Sequence, residues 1–130
     1  MKNTKQYIDI WLNICCFAIS LMIIVGGITR LTQSGLSMVE WKPISGIIPP
    51  LNEQQWQDEF EKYKMYPEYE KINKFKLMDI QEYKNIYFWE YLHRILGRII
   101  GLLFIIPFLF LYFKKKIDKQ LSNRLLTAIF

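Results

Sequence analysis

Two long uncharged stretches, separated by a polar and aromatic middle, dominate the chain. The first, IWLNICCFAISLMIIVGGI, runs nineteen residues from Ile10 to Ile28 without a charge. At ~1.5 Å rise per residue, a helix of that length reaches about 28 Å, close to the hydrocarbon thickness of a bilayer. Its polar members, Asn13 and Ser20, are tolerable when they face another helix. The second stretch, Ile95 to Phe113, is also nineteen residues and is interrupted by Arg98 and Pro107. Arg98 sits one turn inside the run, where its side chain can snorkel. Pro107 is expected to bend the helix and not to end the span, because apolar residues continue to Phe113.

The middle divides into three. TRLTQSGLSMVEWKPISGIIPP, from Thr29 to Pro50, is rich in Gly, Pro and Ser and predicts an irregular strap. Asn52 and Gln55 fit a capping arrangement, with Trp56, Phe60 and Tyr63 at helical spacing behind them, so a short amphipathic helix should end before Pro67. It either lies on the membrane surface or over the helix ends, or packs on its own loop. Asp79 with Glu82 forms an acidic capping box, and nothing breaks the helical pattern from Ile80 onwards. One helix from about Ile80 to Phe113 follows, its first three or four turns outside the hydrocarbon. After Lys116 the remaining fourteen residues are too short to cross a membrane. They read as the approach to a third helix, with Ser122 as its cap.

The predicted fold class is therefore an all-α integral membrane protein, two transmembrane helices joined by a long extracytoplasmic loop. The segments are 1–9, a cytoplasmic N-terminus; 10–28, the first span; 29–94, the loop and helix extension; 95–113, the second span; and 114–130, a cytoplasmic tail or the start of a third helix. A two-helix hairpin has little interior to bury. The chain is thus expected to be a piece of something larger or one subunit of an assembly.

Composition agrees. Apolar residues make up 52% and aromatics 16% of 130 residues, which excludes a disordered chain. The mean hydropathy of +0.06 averages two apolar extremes with a polar centre. The only cysteines, Cys15 and Cys16, are adjacent in an apolar run and point to different sides of a helix, which excludes a disulfide scaffold. The net charge of +5 is not gathered on one folded face, so no nucleic-acid partner is implied. Lys2 and Lys5 before the first run resemble the basic start of a signal peptide, but nineteen apolar residues exceed the usual ~7–15 of such a segment. Lys2, Lys5, Lys114, Lys115, Lys116, Lys119 and Arg124 flank one pair of helix ends. Arg30, Lys42, Lys84 and Arg94 lie near the other. This bias places both termini in the cytoplasm.

Chemistry-bearing residues gather on one stripe of the second helix. Glu90, His93, Gly97, Gly101 and Phe104 follow one another by 3, 4, 4 and 3 residues and share a face. Gly97 and Gly101 form a G-x-x-x-G pair, which either receives a neighbouring helix or admits a broad flat ligand. His93 is the chain's single histidine. Arg30, Arg94 and Arg98 lie at similar depth, either snorkelling and paired or bound to an anion. Imidazole binds iron, and arginines bind carboxylates through forked bonds. A flat, apolar, iron-containing ligand with two carboxylates describes haem. Zinc would need more nitrogen or sulfur ligands, and a di-iron bundle a second Glu-x-x-His. One histidine cannot make a bis-histidine site, so a second axial ligand must come from another chain or from further helices.

With these residues in view, the sequence resembles the N-terminal part of the haem A synthase family. Gly26–Pro50, GGITRLTQSGLSMVEWKPISGIIPP, follows the family's Gly-Thr-Arg-Leu-Thr … Ser-Gly-Leu-Ser … Trp-x-Pro … Pro-Pro signature nearly position by position. Glu90–Gly101, EYLHRILGRIIG, matches its Glu-x-x-His-Arg-x-x-Gly-Arg pattern. The lack of cysteines in the outer loop resembles the proteobacterial and mitochondrial branch.

The resemblance implies an inner-membrane protein of eight spans in two pseudo-symmetric four-helix halves, each holding a haem between histidines. It implies oxidation of the C8 methyl of haem O to a formyl group, giving haem A for cytochrome oxidase. Haem O would be the substrate, and haem b is expected in the C-terminal half. His93 matches an axial histidine and Glu90 the acidic residue needed for the chemistry. Arg30, Arg94, Arg98, Gly97 and Gly101 would cradle the haem. Membrane lipid, a second chain or further helices, haem O synthase and a homo-oligomeric copy are the expected partners. Two other readings stay open: a small membrane cytochrome in which two copies each offer His93 to one haem, and a cofactor-free hairpin that scaffolds oxidase assembly.

Overall fold

The computed structural model describes residues 2–40 and 45–127. Trp41, Lys42 and Pro43, which belong to the long motif and to the flanking charges, lie outside the described residues. Among the described residues four α-helices follow one another: α1 (Lys2–Leu31), α2 (Glu53–Lys64), α3 (Ile80–Phe113) and α4 (Lys119–Thr127). A short 3-10 turn (Ser45–Ile47) precedes α2, and a π-helical turn (Tyr69–Asn73) follows it. No strand occurs among the described residues.

α1 and α3 are long and apolar enough to cross a membrane, and only 22% and 11% of their most apolar windows are buried. The core helix of a soluble protein hides such a surface. Here Phe17, Ile23, Leu102 and Ile106 stand more than half exposed, which suits a lipid solvent. Among the described residues, Asn13 and Ser20 meet no other helix. Both are exposed and hydrogen-bond their own helix, Asn13 Nδ2 to Asp9 O at 2.8 Å and Ser20 Oγ to Cys16 O at 2.9 Å. A short polar side chain can close on the preceding turn and so tolerate lipid without a partner helix. Cys15 is buried and Cys16 exposed, as adjacent helical positions must be.

The chain forms two compact units. One comprises Met1–Ser20 with Arg98–Phe130, the other Leu21–Gly97. In the first, Ile8, Trp11, Cys15, Phe108, Leu111 and Leu125 form the core. Pro107 lies inside α3, which continues through it to Phe113. Proline has no N–H, so the carbonyl four residues back, Leu103 O, loses its helical donor. The Trp11 indole supplies the missing one at 2.9 Å. Ser122 is not the cap of α4 but lies within it, buried. Asp118 caps instead, its Oδ1 accepting from Leu121 N at 2.6 Å. The Asp118 carboxylate, three residues before Leu121, reaches an N–H that no earlier carbonyl of the helix can satisfy.

In the second unit both predicted caps form. Asn52 Oδ1 accepts from Gln55 N at 2.8 Å, while Gln55 reaches back to Leu51 N. Asp79 and Glu82 satisfy each other's N–H groups reciprocally. α2 packs on its own loop and on the start of α3. Phe60 and Tyr63 are buried with Tyr83, Ile86, Tyr87 and Met38, and Tyr83 stacks on both Phe60 and Tyr63. Burial pushes the Tyr63 phenol up from its ordinary pKa. The neutral hydroxyl accepts from Asn73 Nδ2 at 2.7 Å, tying the π-helical turn to α2. The strap begins later than predicted, because Thr29, Arg30 and Leu31 complete the last turn of α1.

Candidate functional site

The strap is drawn onto α3 by one carboxylate. α1 closes with Ser34 N bonded to Thr29 O at 2.9 Å and Gln33 N to Arg30 O at 3.2 Å, with Gln33 left-handed at φ 54°. This is the Schellman closure, made here by a glutamine where glycine is usual. Leu36 is left-handed again at φ 67°, a conformation that costs a non-glycine residue about 1 kcal/mol or more. The chain then delivers Ser37 and Met38 to Glu90. Ser37 Oγ and Met38 N each donate to Glu90 Oε2 at 2.7 Å, and Arg94 Nη2 donates to Glu90 Oε1. Ser37 is fully buried and Glu90 is 6% exposed. Such charge-assisted bonds to a buried carboxylate are among the stronger ones in a protein.

One turn on, the His93 ring lies against α1. A Cβ built on Gly26 would stand 3.2 Å from His93 Nε2, closer than a relaxed contact allows. The imidazole therefore occupies a notch that a methyl group at position 26 would narrow. A cleft of about 480 Å³ opens beside it, lined by Arg30, Gln33, Glu68, Glu90, His93 and Arg94 among others. Arg30, in the last turn of α1, is exposed and forms no ion pair among the described residues. It can turn a guanidinium to an incoming carboxylate, whereas Arg94 is already paired with Glu90.

Of the residues picked out from the sequence, Arg30, Glu90, His93 and Arg94 thus share one cleft. Gly97 is covered: a Cβ there would meet the Met22 methyl at 3.3 Å. Arg98 and Gly101 belong to the other compact unit. There a Cβ on Gly101 meets nothing within 4 Å, and Phe104 packs on Trp11 with ring centroids 5.4 Å apart. Sequence reasoning gave no role to Gly26, Ser37 or Glu68. Gly26 and Ser37 stand inside the long motif, but only the pairing of strap with α3 shows what they do. No group of three or more His, Cys, Asp and Glu able to hold a metal ion occurs among the described residues.

Exposed apolar helices and a cleft in which the chain's single histidine stands among arginines and glutamates define a class: a helical membrane protein with a polar cleft beside its histidine. The family comparison is more specific. Residues 9–130 match the model of the cytochrome oxidase assembly protein family, COX15-CtaA, and the chain belongs to it. It is 53% identical over 120 residues to the heme A synthase of Flavobacterium psychrophilum, covering 92% of this chain and 35% of that protein. Over 127 residues it is 53% identical to the heme A synthase of Nitrosomonas eutropha, covering 96% and 35%. The heme A synthase of Orientia tsutsugamushi is 51% identical over 125 residues, covering 96% and 34%. The chain thus spans about a third of the length of the curated relatives it matches. No solved structure matches it.

Proposed function

We propose that this chain is the N-terminal part of a haem A synthase, an oxidoreductase that converts the C8 methyl of haem O to a formyl group. The observation that carries the reading is the cleft in which His93 stands between the unpaired Arg30 and the Glu90–Arg94 pair. The residues fit a haem. The imidazole in the Gly26 notch is a ligand for iron, and Arg30 is a partner for a propionate. Bound haem supplies the redox chemistry, while the protein sets its orientation and surroundings. Glu90, held by Ser37, Met38 and Arg94, presents a fixed carboxylate. It can take a proton from the reacting porphyrin edge or face positive charge that develops there. Arg94 orients that carboxylate. The protein sits in the bacterial inner membrane with both termini cytoplasmic. Further helices, or a second copy, would supply a second ligand to the iron, and a haem b would be held in the C-terminal half. Haem O synthase, which makes the substrate, is the natural donor.

The test uses a complete protein carrying this segment, with extracted haems resolved by chromatography. His93→Ala should lower haem retention or shift the visible spectrum, because an axial ligand is lost. Glu90→Ala should retain haem and lose formyl formation. Glu90→Asp should be intermediate, since small misplacements slow a reaction steeply. Near-normal haem A from Glu90→Gln would sink the catalytic role and leave Glu90 as the anchor of the strap.

A further inference from the structure

Charge is distributed very unevenly between the two compact units. In the unit formed by 1–20 and 98–130, eight Lys and Arg face two Asp and Glu, a net of +6. In the unit 21–97, nine face ten, a net of −1. In the second unit Lys62 pairs with Glu59, Lys64 with Glu61, Lys74 with Glu70 and Lys84 with Glu53, while Lys71 and Lys76 form no ion pair among the described residues. In the first unit, Lys5, Lys115 and Lys116 form no ion pair among the described residues.

These three lysines converge from opposite ends of the sequence. α3 ends in a tight closure, with Lys116 N bonded to Leu111 O and Lys115 N to Tyr112 O, both at 3.0 Å. Lys115 is left-handed at φ 51°, which turns the chain back sharply. The turn and the start of α1 enclose a cleft of about 740 Å³ lined by Lys5, Lys115 and Lys116, with Asp9 and Asp118 also on its rim. The Asp118 carboxylate is engaged in capping α4. Ile8 and Leu121 give the cleft an apolar floor. Beside the turn, Tyr112 and Phe113 are exposed, an aromatic pair of the kind found at headgroup level.

We propose that this cleft binds the phosphate headgroup of an anionic phospholipid, with the lysines on the phosphodiester and the apolar floor beneath the first acyl carbons. The chemistry calls for a singly charged anion attached to an apolar tail. Three lysines against the two aspartates Asp9 and Asp118 leave the cleft one positive charge in excess, and apolar side chains line the same cleft. The inference is independent of the haem reading.

The test is native mass spectrometry of the 130-residue chain in a neutral detergent, with phosphatidylglycerol and phosphatidylcholine of identical acyl chains as probes. One phosphatidylglycerol should bind about tenfold more tightly than phosphatidylcholine, the order expected when lysines near a surface outnumber acids. Lys5→Gln/Lys115→Gln/Lys116→Gln should bring the two lipids within about twofold of each other, while Lys71→Gln/Lys76→Gln in the other unit keeps the preference. If the triple variant loses its helical circular dichroism, the wild type decides alone. Its preference must then fall as NaCl rises from about 0.05 to 0.5 M. Equal binding of both lipids, a preference that survives the triple substitution in a folded protein, or one indifferent to salt overturns the proposal. Displacement of the lipid by inorganic phosphate at equal concentration would also overturn it, by showing that the tail contributes nothing.

Discussion

Glu90 shows how much one side chain organises. Its two oxygens receive a hydroxyl, a backbone N–H and a guanidinium, so the strap, α3 and the cleft are fastened at one carboxylate. Ser37→Ala removes one of those donors in a fully buried place and should destabilise the fold by about 1–3 kcal/mol, read as a lowered midpoint of chemical unfolding in detergent. An unchanged midpoint would mean that the strap is held by its other contacts. Two glycines make a sharper contrast. At Gly26 a methyl would press on a ring atom, His93 Nε2; at Gly97 it would press on the end of a flexible thioether, Met22. Gly97→Ala should therefore be absorbed by a rotamer change. Gly26→Ala should displace the imidazole and alter the spectrum or retention of added haem in a complete protein. Equal spectra for the two variants would show that His93 has room to retreat.

At the scale of elements, α1 and α3 each close on a residue other than glycine in the left-handed conformation, Gln33 and Lys115. A reader of sequence expects glycine or asparagine at such a stop. The sequence pattern therefore places Thr29–Leu31 in the strap, whereas they complete α1. The starts were readable because their chemistry is local: Asn52 and Asp79 each reach an N–H three residues on. Pro107 and Trp11 carry the element-scale prediction. Trp11→Phe keeps the ring but leaves Leu103 O without a donor in an apolar setting, costing about 1–3 kcal/mol. Pro107→Ala restores an N–H four residues after Leu103, so in that background the same change should cost much less. A thermal-unfolding double-mutant cycle measures the coupling. Additive effects would show that the indole bond does not compensate for the proline.

On the whole-molecule scale, the net charge of +6 in one unit against −1 in the other bears on orientation. With Cys15 and Cys16 replaced by alanine, a cysteine at the exposed Gln57 should react with a membrane-impermeant thiol reagent added to cells whose outer membrane is permeabilised. One at the exposed Asn123 should not. The opposite pattern would invert the assigned orientation. The sequence alone determined the two apolar helices, the capped starts of α2 and α3, the continuity of α3 through Pro107 and the co-facial Glu90 and His93. Each follows from periodicity or from bonds spanning three or four residues. Only the tertiary structure decided that Ser37 and Met38 close on Glu90, that Gly26 is the notch for His93, that Trp11 replaces the donor lost at Pro107, and that Lys5 and Lys115 line one cleft. Those partners lie between 52 and 110 positions apart in the sequence, apart from a shared motif or composition that would mark them. Their contacts are fixed by the packing of whole helices, which local pattern does not encode.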